Sequence, residues 1–314
     1  MKFTKNFKQL SKKDVGIAGG KGASLGEMTQ AGIQVPPGFV VLADAFERFL
    51  TETDIDVEIE SALNKVNYKD VNSVDQASKL IRDLIHDAKM PKDLQQEILI
   101  DFDKLKAKHV AVRSSATAED SSVASWAGEL ESYLNTTRQN LLGRVKDCWS
   151  SLFTQRAIVY RREQGMRKSK VSVAVVIQKM IQSEISGICF TTHPVTKDKN
   201  QLIIEAGWGL GEAIVGGHIT PDSYVINKKT WKIIDINISE QEKMIVQKKS
   251  GIGSEWVKVP NKLRAKQKFN NKQIIELAKL CAQIEKHYKF PCDIEWALEN
   301  KKFYIVQSRP ITTL

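Results

Sequence analysis

Residues 292–310 read CDIEWALENKKFYIVQSRP, two runs of alternating side chains around a short polar break. Alternation of this kind specifies an antiparallel hairpin and decides which side chains share a face. Asp293, Glu295 and Ala297 take one face of the first strand, while Ile294, Trp296 and Leu298 take the other. A three-residue turn at Asn300–Lys302 sets Glu295 opposite Gln307 and Asp293 opposite Arg309, with Phe303, Ile305, Gln307 and Arg309 on a common face. A carboxylate beside an amide oxygen is a hard-oxygen pair suited to magnesium. An ordinary hairpin closed by an Asp293–Arg309 salt bridge is the other reading of the same spacing.

The rest of the chain mixes both element types. FVVL (residues 39–42), VAV (110–112) and VSVAVVI (171–177) read as strands,. Residues 57–107 carry apolar positions at helical spacing, and Pro91 opens a new helix there. One helix is expected over NLLGRVKDCWSSLFTQRAIVYRREQG (residues 140–165), and another over NNKQIIELAKLCAQIEKHY. Strand hairpins interleaved with helices predict an α+β or mixed α/β fold, not a doubly wound sheet. Apolar residues make up 42% of the 314, enough for a sizeable core,. The longest apolar run falls far short of a membrane span, and the charged MKFTKNFKQL start lacks a secretory apolar region, so a cytoplasmic protein with no membrane partner is expected. Cys148, Cys189, Cys281 and Cys292 form no CxxC pair and read as reduced and buried. The net charge of +10 is spread over several basic runs without interleaved aromatics. Solvated basic faces account for it better than a nucleic-acid surface does.

Five glycines surround Lys21 in VGIAGGKGASLGEM, residues 15–28. A Walker A loop is excluded, because Val15 stands where its first glycine belongs and Gly22 follows the lysine. The stretch is either a tight structural turn with an exposed lysine or a glycine loop offering Lys21 to phosphate. Arg113 ends a strand that runs into RSSATAEDSSVASWAGE, small and polar except for Trp126. That segment reads as a phosphate lid or as a solvated loop. A triphosphate meets each unit charge at 4 Å with about 4 kcal/mol at an effective dielectric near 20. Lys21, Arg113, Arg309 and a divalent ion would together balance it, and phosphoryl transfer needs chiefly such positioning.

GGKGASLGEM with VPPGFVV, AVRSSATAED with AGE, FTTHPVT, EAGWGLGEAIVGGHITPDSYVI and DIEWAL…FYIVQSRP occur in this order. Together they closely resemble the N-terminal nucleotide-binding domain of phosphoenolpyruvate synthase and pyruvate phosphate dikinase, to which domains of rifampin phosphotransferases and glucan water dikinases are related. The resemblance covers nearly the whole chain. It implies an ATP-grasp-like fold over residues 1–314, with lobes of about 1–177 and 178–314 closing on ATP and Mg2+. It implies that Lys21 binds phosphates, that Arg113, Gly128 and Ser132 belong to a lid, and that Gln178, Lys179, Met180 and Ile181 form the adenine hinge. Glu295 and Gln307 would carry magnesium and Arg309 would contact the transferring phosphates. Glu129 stands where family members often have glutamine.

In these dikinases the resemblance further implies that ATP phosphorylates a histidine on a separate swivelling domain, which passes phosphate to pyruvate on another domain. His218 in GGHIT and His193 in TTHP read as structural rather than as that acceptor. The expected activity is therefore that of an ATP-dependent phosphotransferase module acting on a histidine domain in trans or removed. A nucleotide-binding or regulatory module without a full cycle, and the ATP domain of a relative such as rifampin phosphotransferase, are the alternatives.

Overall fold

The computed structural model describes residues 2–117, 131–165 and 172–312. They form two compact units, residues 1–30 with 37–180 and residues 31–36 with 181–314.

In the first unit β1 (Thr4–Asn6) leads into α1 (Val15–Gln30), β2 (Gly38–Val41), α2 (Ala43–Glu52), α3 (Ile55–Asn64), α4 (Val71–Asp87) and α5 (Lys92–Lys104). Next come β3 (Val110–Ala116), β4 (Ser132–Thr136), α6 (Leu141–Ser150), α7 (Gln155–Glu163) and β5 (Val173–Lys179). The strands build an antiparallel sheet in the order β1-β2-β5-β3-β4. Alternation sorts its side chains. Phe39, Val41, Val110, Val112, Val175 and Ile177 join the core built with α2–α7, where fully buried Trp149 stacks on Phe49 at 5.0 Å between ring centroids. The opposite face, with Val40, Arg113, Ser115 and Val176, is covered by α1.

The single helix expected over residues 140–165 is two. Thr154 breaks it with an extended backbone (φ −62°, ψ 156°), and its hydroxyl caps α7 by accepting from the Ala157 N–H,. The Ser151 hydroxyl donates to the Cys148 carbonyl at 2.7 Å. Hydroxyls clustered before a cap give the backbone local alternatives to a continuous helix.

The second unit holds β6 (Ile185–Phe190), β7 (Gln201–Trp208), α8 (Glu212–Val215), β8 (Asp222–Asn227), β9 (Ile233–Asn237), β10 (Lys243–Gln247) and β11 (Ser254–Lys258). It ends with α9 (Asn261–Arg264), α10 (Asn271–Tyr288), β12 (Cys292–Glu299) and β13 (Lys302–Pro310). Its six-stranded antiparallel sheet has the order β13-β12-β6-β7-β8-β9. Ile294, Cys189, Ile204 and Tyr224 line up across one buried face, against which α10 packs. Asp222 and Lys268 form an ion pair at 2.8 Å with both side chains fully buried. Asp222 also accepts from the Tyr224 hydroxyl and from the backbone N–H groups of Ser239 and Lys268, which fills the oxygens that burial strips of water,. The other face of the sheet carries the charged residues taken up below. No helix among the described residues is long and apolar enough to cross a membrane.

Candidate functional site

The glycine stretch is helical and not the loop its composition implies. α1 runs through it with a single break at Gly19 (φ 68°, ψ 171°), so Lys21 stands in the first turn of the helical segment 20–30. A Cβ on Gly19 would lie 2.2 Å from Ser115 Oγ, so both the positive φ and the close approach demand glycine,. Ser115 fastens the break to β3. Its hydroxyl donates to the Ala18 carbonyl (3.0 Å) and accepts from the Gly22 N–H (3.3 Å). Arg113, two residues earlier on β3, therefore lies on the same side of the sheet as Ser115 and α1, and it is buried,. The N-terminal turn of segment 20–30, with its outward N–H groups, thus sits on the sheet face that also carries Arg113, an arrangement that favours an anion. Ser132 is directly opposite Arg113 at the exposed start of β4. Gly128, Trp126 and Glu129 lie outside the described residues.

The division between the units falls within the expected hinge, between Met180 and Ile181. Gln178 is buried between Gly38 and Ala111 in the sheet. Its Nε2 meets no hydrogen-bond partner among the described residues. The Lys179 N–H donates to the Pro37 carbonyl (2.8 Å) and the Met180 N–H to the His109 carbonyl (3.0 Å). Proline has no N–H, so Pro37 cannot return a bond to the Lys179 carbonyl. The VPPGFVV motif thus leaves a strand-end acceptor beside a buried amide donor.

In the second unit Glu295 faces Gln307 and Asp293 faces Arg309, as the alternation implies. The route to that register differs from the expected one. Asn300 (φ 50°) and Lys301 (φ 62°) make a two-residue turn of the kind that matches strand twist, so Glu299 pairs with Lys302,. One extra residue, Val306, is then accommodated as a bulge between the Trp296–Ile305 and Glu295–Gln307 pairs,. The bulge changes faces. Phe303 and Ile305 lie with Leu298 and Trp296 on the buried side, and the Phe303 ring meets the Trp296 ring at 6.0 Å. Gln307 and Arg309 are therefore not on the face of Phe303 and Ile305 but on that of Asp293 and Glu295.

Burial dominates the electrostatics of this face. Arg309 donates to Asp293 Oδ2 through Nε (2.9 Å) and pairs with the same oxygen through a terminal nitrogen (2.8 Å). Asp293 Oδ1 is buried with no hydrogen-bond partner among the described residues. Burial raises the Asp293 pKa above the ordinary carboxylate value; Arg309 opposes the rise and Glu295 adds to it. Glu205, reached across the sheet through the Glu295–Ile188–Glu205 row, is raised by burial and then by Asp293. Carboxylates held short of water and close to one another favour a cation. No cluster of three or more His, Cys, Asp or Glu residues among the described residues could hold a metal. The Glu295 carboxylate and Gln307 amide together fit a hard-oxygen site completed by water and phosphate, the usual manner of Mg2+.

The histidines fall elsewhere. His193 Nδ1 accepts from the N–H groups of Val195 and Thr196 (both 3.2 Å), capping a turn. His218 is exposed and meets the Trp256 ring edge-on. All four cysteines are free and buried, and burial pushes the thiols of Cys148 and Cys292 up to about 12.

Residues 15–314 match the family described as "Pyruvate phosphate dikinase, AMP/ATP-binding domain". The chain belongs to this dikinase nucleotide-binding family. It is 47% identical to the probable phosphoenolpyruvate synthase of Methanocaldococcus jannaschii, over 100% of this chain and 27% of that protein. Identity to the phosphoenolpyruvate synthase of Pyrococcus furiosus is 42%, over 100% of this chain and 44% of that protein. The rifampicin phosphotransferase of Bacillus cereus is 38% identical, over 99% of this chain and 36% of its own length. The chain thus spans between about a quarter and just under half of these relatives.

Within this dikinase-type domain, sequence reasoning missed Ser115, Glu205 and Val306. Ser115 shares the alternation of Arg113 in AVRSSAT, which is the signal that places both on one face. Glu205 is the acidic residue of the strand LIIEAGW. The Val306 bulge has no sequence mark beyond the apolar pair Ile305–Val306 interrupting the alternation.

Proposed function

We propose that this domain binds ATP with Mg2+ and supplies the phosphoryl group to a histidine on a separate swivelling domain, in the manner of phosphoenolpyruvate synthase. Lys21, Arg113 and Arg309 bind and neutralise the phosphates. The Lys179 carbonyl accepts from the adenine amino group and the Ile181 N–H donates to the ring. Glu295 and Gln307 hold Mg2+, which when bound supplies further charge neutralisation at the phosphates. Arg309 is held by Asp293, so its guanidinium keeps one orientation as charge redistributes during transfer. The overall reaction forms phosphoenolpyruvate, AMP and phosphate from pyruvate, ATP and water, with the pyruvate site and the acceptor histidine on other domains.

The single observation that carries the reading is the shared face of Glu295, Gln307, Asp293 and Arg309, because a fold that needed only a stable hairpin has no use for a buried glutamine beside a carboxylate and a half-exposed guanidinium held on that face. Calorimetric titration with ATP, with and without Mg2+, tests it. Wild-type chain should bind Mg-ATP more tightly than ATP in EDTA; equal affinities would remove the metal assignment. AMP formation on addition of a histidine domain from a phosphoenolpyruvate synthase separates this reading from a binding module, which would bind ATP and form no AMP.

A further inference from the structure

α3 and α7 both flank α4, and a cavity of about 540 Å³ lies between residues of the first two. Each helix turns one face to it. Glu60, Leu63 and Asn64 come from α3, and Ile158, Arg161 and Arg162 from α7, each set at positions i, i+3 and i+4,. Tyr68, just beyond α3, also lines it. None of these residues enters the nucleotide reading, and the helices lie over the sheet face opposite to the one α1 covers.

The basic run YRREQGMRKSK, to which Arg161 and Arg162 belong, reads in the sequence as a solvated face. A solvated arginine keeps its donors in water. Arg161 does not: its Nε–H is buried and meets no hydrogen-bond partner among the described residues. Burial lowers its pKa from the ordinary value and only the Tyr68 phenol opposes that. Arg161 also lines the cavity, and an ionic donor buried without an acceptor is unfavourable for the chain alone, a cost that an oxyanion drawn to this guanidinium relieves,. Arg162 is held in place, its guanidinium 4.1 Å from the centre of the Tyr68 ring. Such stacking fixes the plane of the fork and leaves its N–H edge for an acceptor. Leu63 and Ile158 supply apolar wall, and the exposed Glu60 disfavours a polyanion.

We propose that this cavity binds the oxyanion end, carboxylate or phosphate, of a small organic molecule with an apolar body. Arg161 and Arg162 grip the oxygens, and Leu63 and Ile158 receive the remainder.

Calorimetric titration of the full chain with inorganic phosphate, phenyl phosphate and benzoate tests this. The expected result is saturable binding of phenyl phosphate or benzoate, tighter than inorganic phosphate and weakened about tenfold or more in Arg161→Met and in Arg162→Met, with ATP affinity unchanged in both. Preference for phenyl phosphate assigns a phosphorylated ligand and preference for benzoate a carboxylate. If the half-buried Arg161→Met fails to fold, the exposed Arg162 decides alone. Absence of saturable binding below about 10 mM, or equal binding by wild type and the variants, overturns the proposal.

Discussion

In the first unit the candidate phosphate-binding groups depend on backbone geometry, whereas in the second they depend on strand register. Lys21 reaches its place because one glycine breaks a helix and Ser115 of a neighbouring strand holds the break with two hydrogen bonds. Gln307 and Arg309 reach theirs because one extra residue turns the end of a strand over. A backbone device tolerates side-chain change around it but not a Cβ at its centre. A register device tolerates side-chain change at the bulge itself, or loss of the bulged residue, but not an added one.

The largest effect on binding should therefore come from an added residue. An alanine inserted after Val306 lets Ile305, Val306 and the insert pair in regular alternation, so Gln307 falls opposite Asp293 and Arg309 is carried past it,. Losing the Asp293–Arg309 pair costs on the order of 1–3 kcal/mol. Urea unfolding should show that loss, and Mg-ATP binding should vanish. An insertion variant that binds Mg-ATP like the parent chain would show that the Glu295–Gln307 pairing does not make the site. Deleting Val306 removes the bulge and keeps Gln307 opposite Glu295, so it should leave binding nearly unchanged, as should Val306→Ala.

Gly19→Ala comes next. It places a Cβ at φ 68° and 2.2 Å from Ser115 Oγ. Strain of this type costs about 1–3 kcal/mol before the clash is counted. Denaturation followed through the first unit should report at least that much, and nucleotide binding should weaken with or without magnesium. Ser115→Ala removes the two hydrogen bonds without adding a clash, so it should give a smaller loss, about 1 kcal/mol per bond. If Ser115→Ala proved the more damaging, the break would depend on the hydroxyl more than on glycine.

A sharper contrast comes from single charges. On the proposed reading, in which the lysine meets phosphate directly, Lys21→Ala should reduce affinity for ATP about tenfold or more in EDTA and in Mg2+ alike. Glu295→Ala should reduce affinity by a similar factor in Mg2+ and leave the EDTA value nearly unchanged. Removing one carboxylate that repels phosphate even permits a slight gain in EDTA. Parallel losses in the two variants would erase the distinction between a phosphate contact and a metal ligand.

These devices were unequally legible in the sequence. Alternation in CDIEWAL is strict, so the faces of Asp293, Glu295 and Trp296 followed directly from period two. The facing pairs Glu295–Gln307 and Asp293–Arg309 also came out as expected, but through a two-residue turn and a bulge whose offsets cancel. Pairing was legible, and the side on which Phe303 and Ile305 lie was not, because a bulge is an accommodation of packing on both faces at once. Glycine content pointed to an open loop at residues 15–28, yet tertiary contact with the sheet overrode the low helix propensity of glycine,. Thr154 caps α7 inside a stretch whose apolar pattern reads as one continuous helix. The hinge donors engaged by Pro37 and His109 depend on strand neighbours distant in sequence, and no local pattern announces them.

The smallest effect concerns Asp293, whose pKa lies above its ordinary value of 3.8 because burial outweighs the attraction of Arg309. An acid raised on folding binds its proton more tightly in the native than in the unfolded chain. Stability from this group is therefore fully present below pH 3.8 and is lost as pH rises through the native value,. Glu205, raised by burial and by Asp293, works in the same direction. Asp293→Asn keeps an oxygen for the Arg309 fork and removes the titration. Its urea stability should fall less steeply than that of wild type as pH rises from about 4 toward neutrality. At pH 7 without nucleotide it should equal or slightly exceed wild type, and the difference should shrink when Mg-ATP is added, because a bound cation favours the carboxylate. A variant less stable than wild type at pH 7, with an unaltered pH slope, would mean that the Arg309 pairing outweighs burial and that this face is built for the hairpin before it is built for a metal.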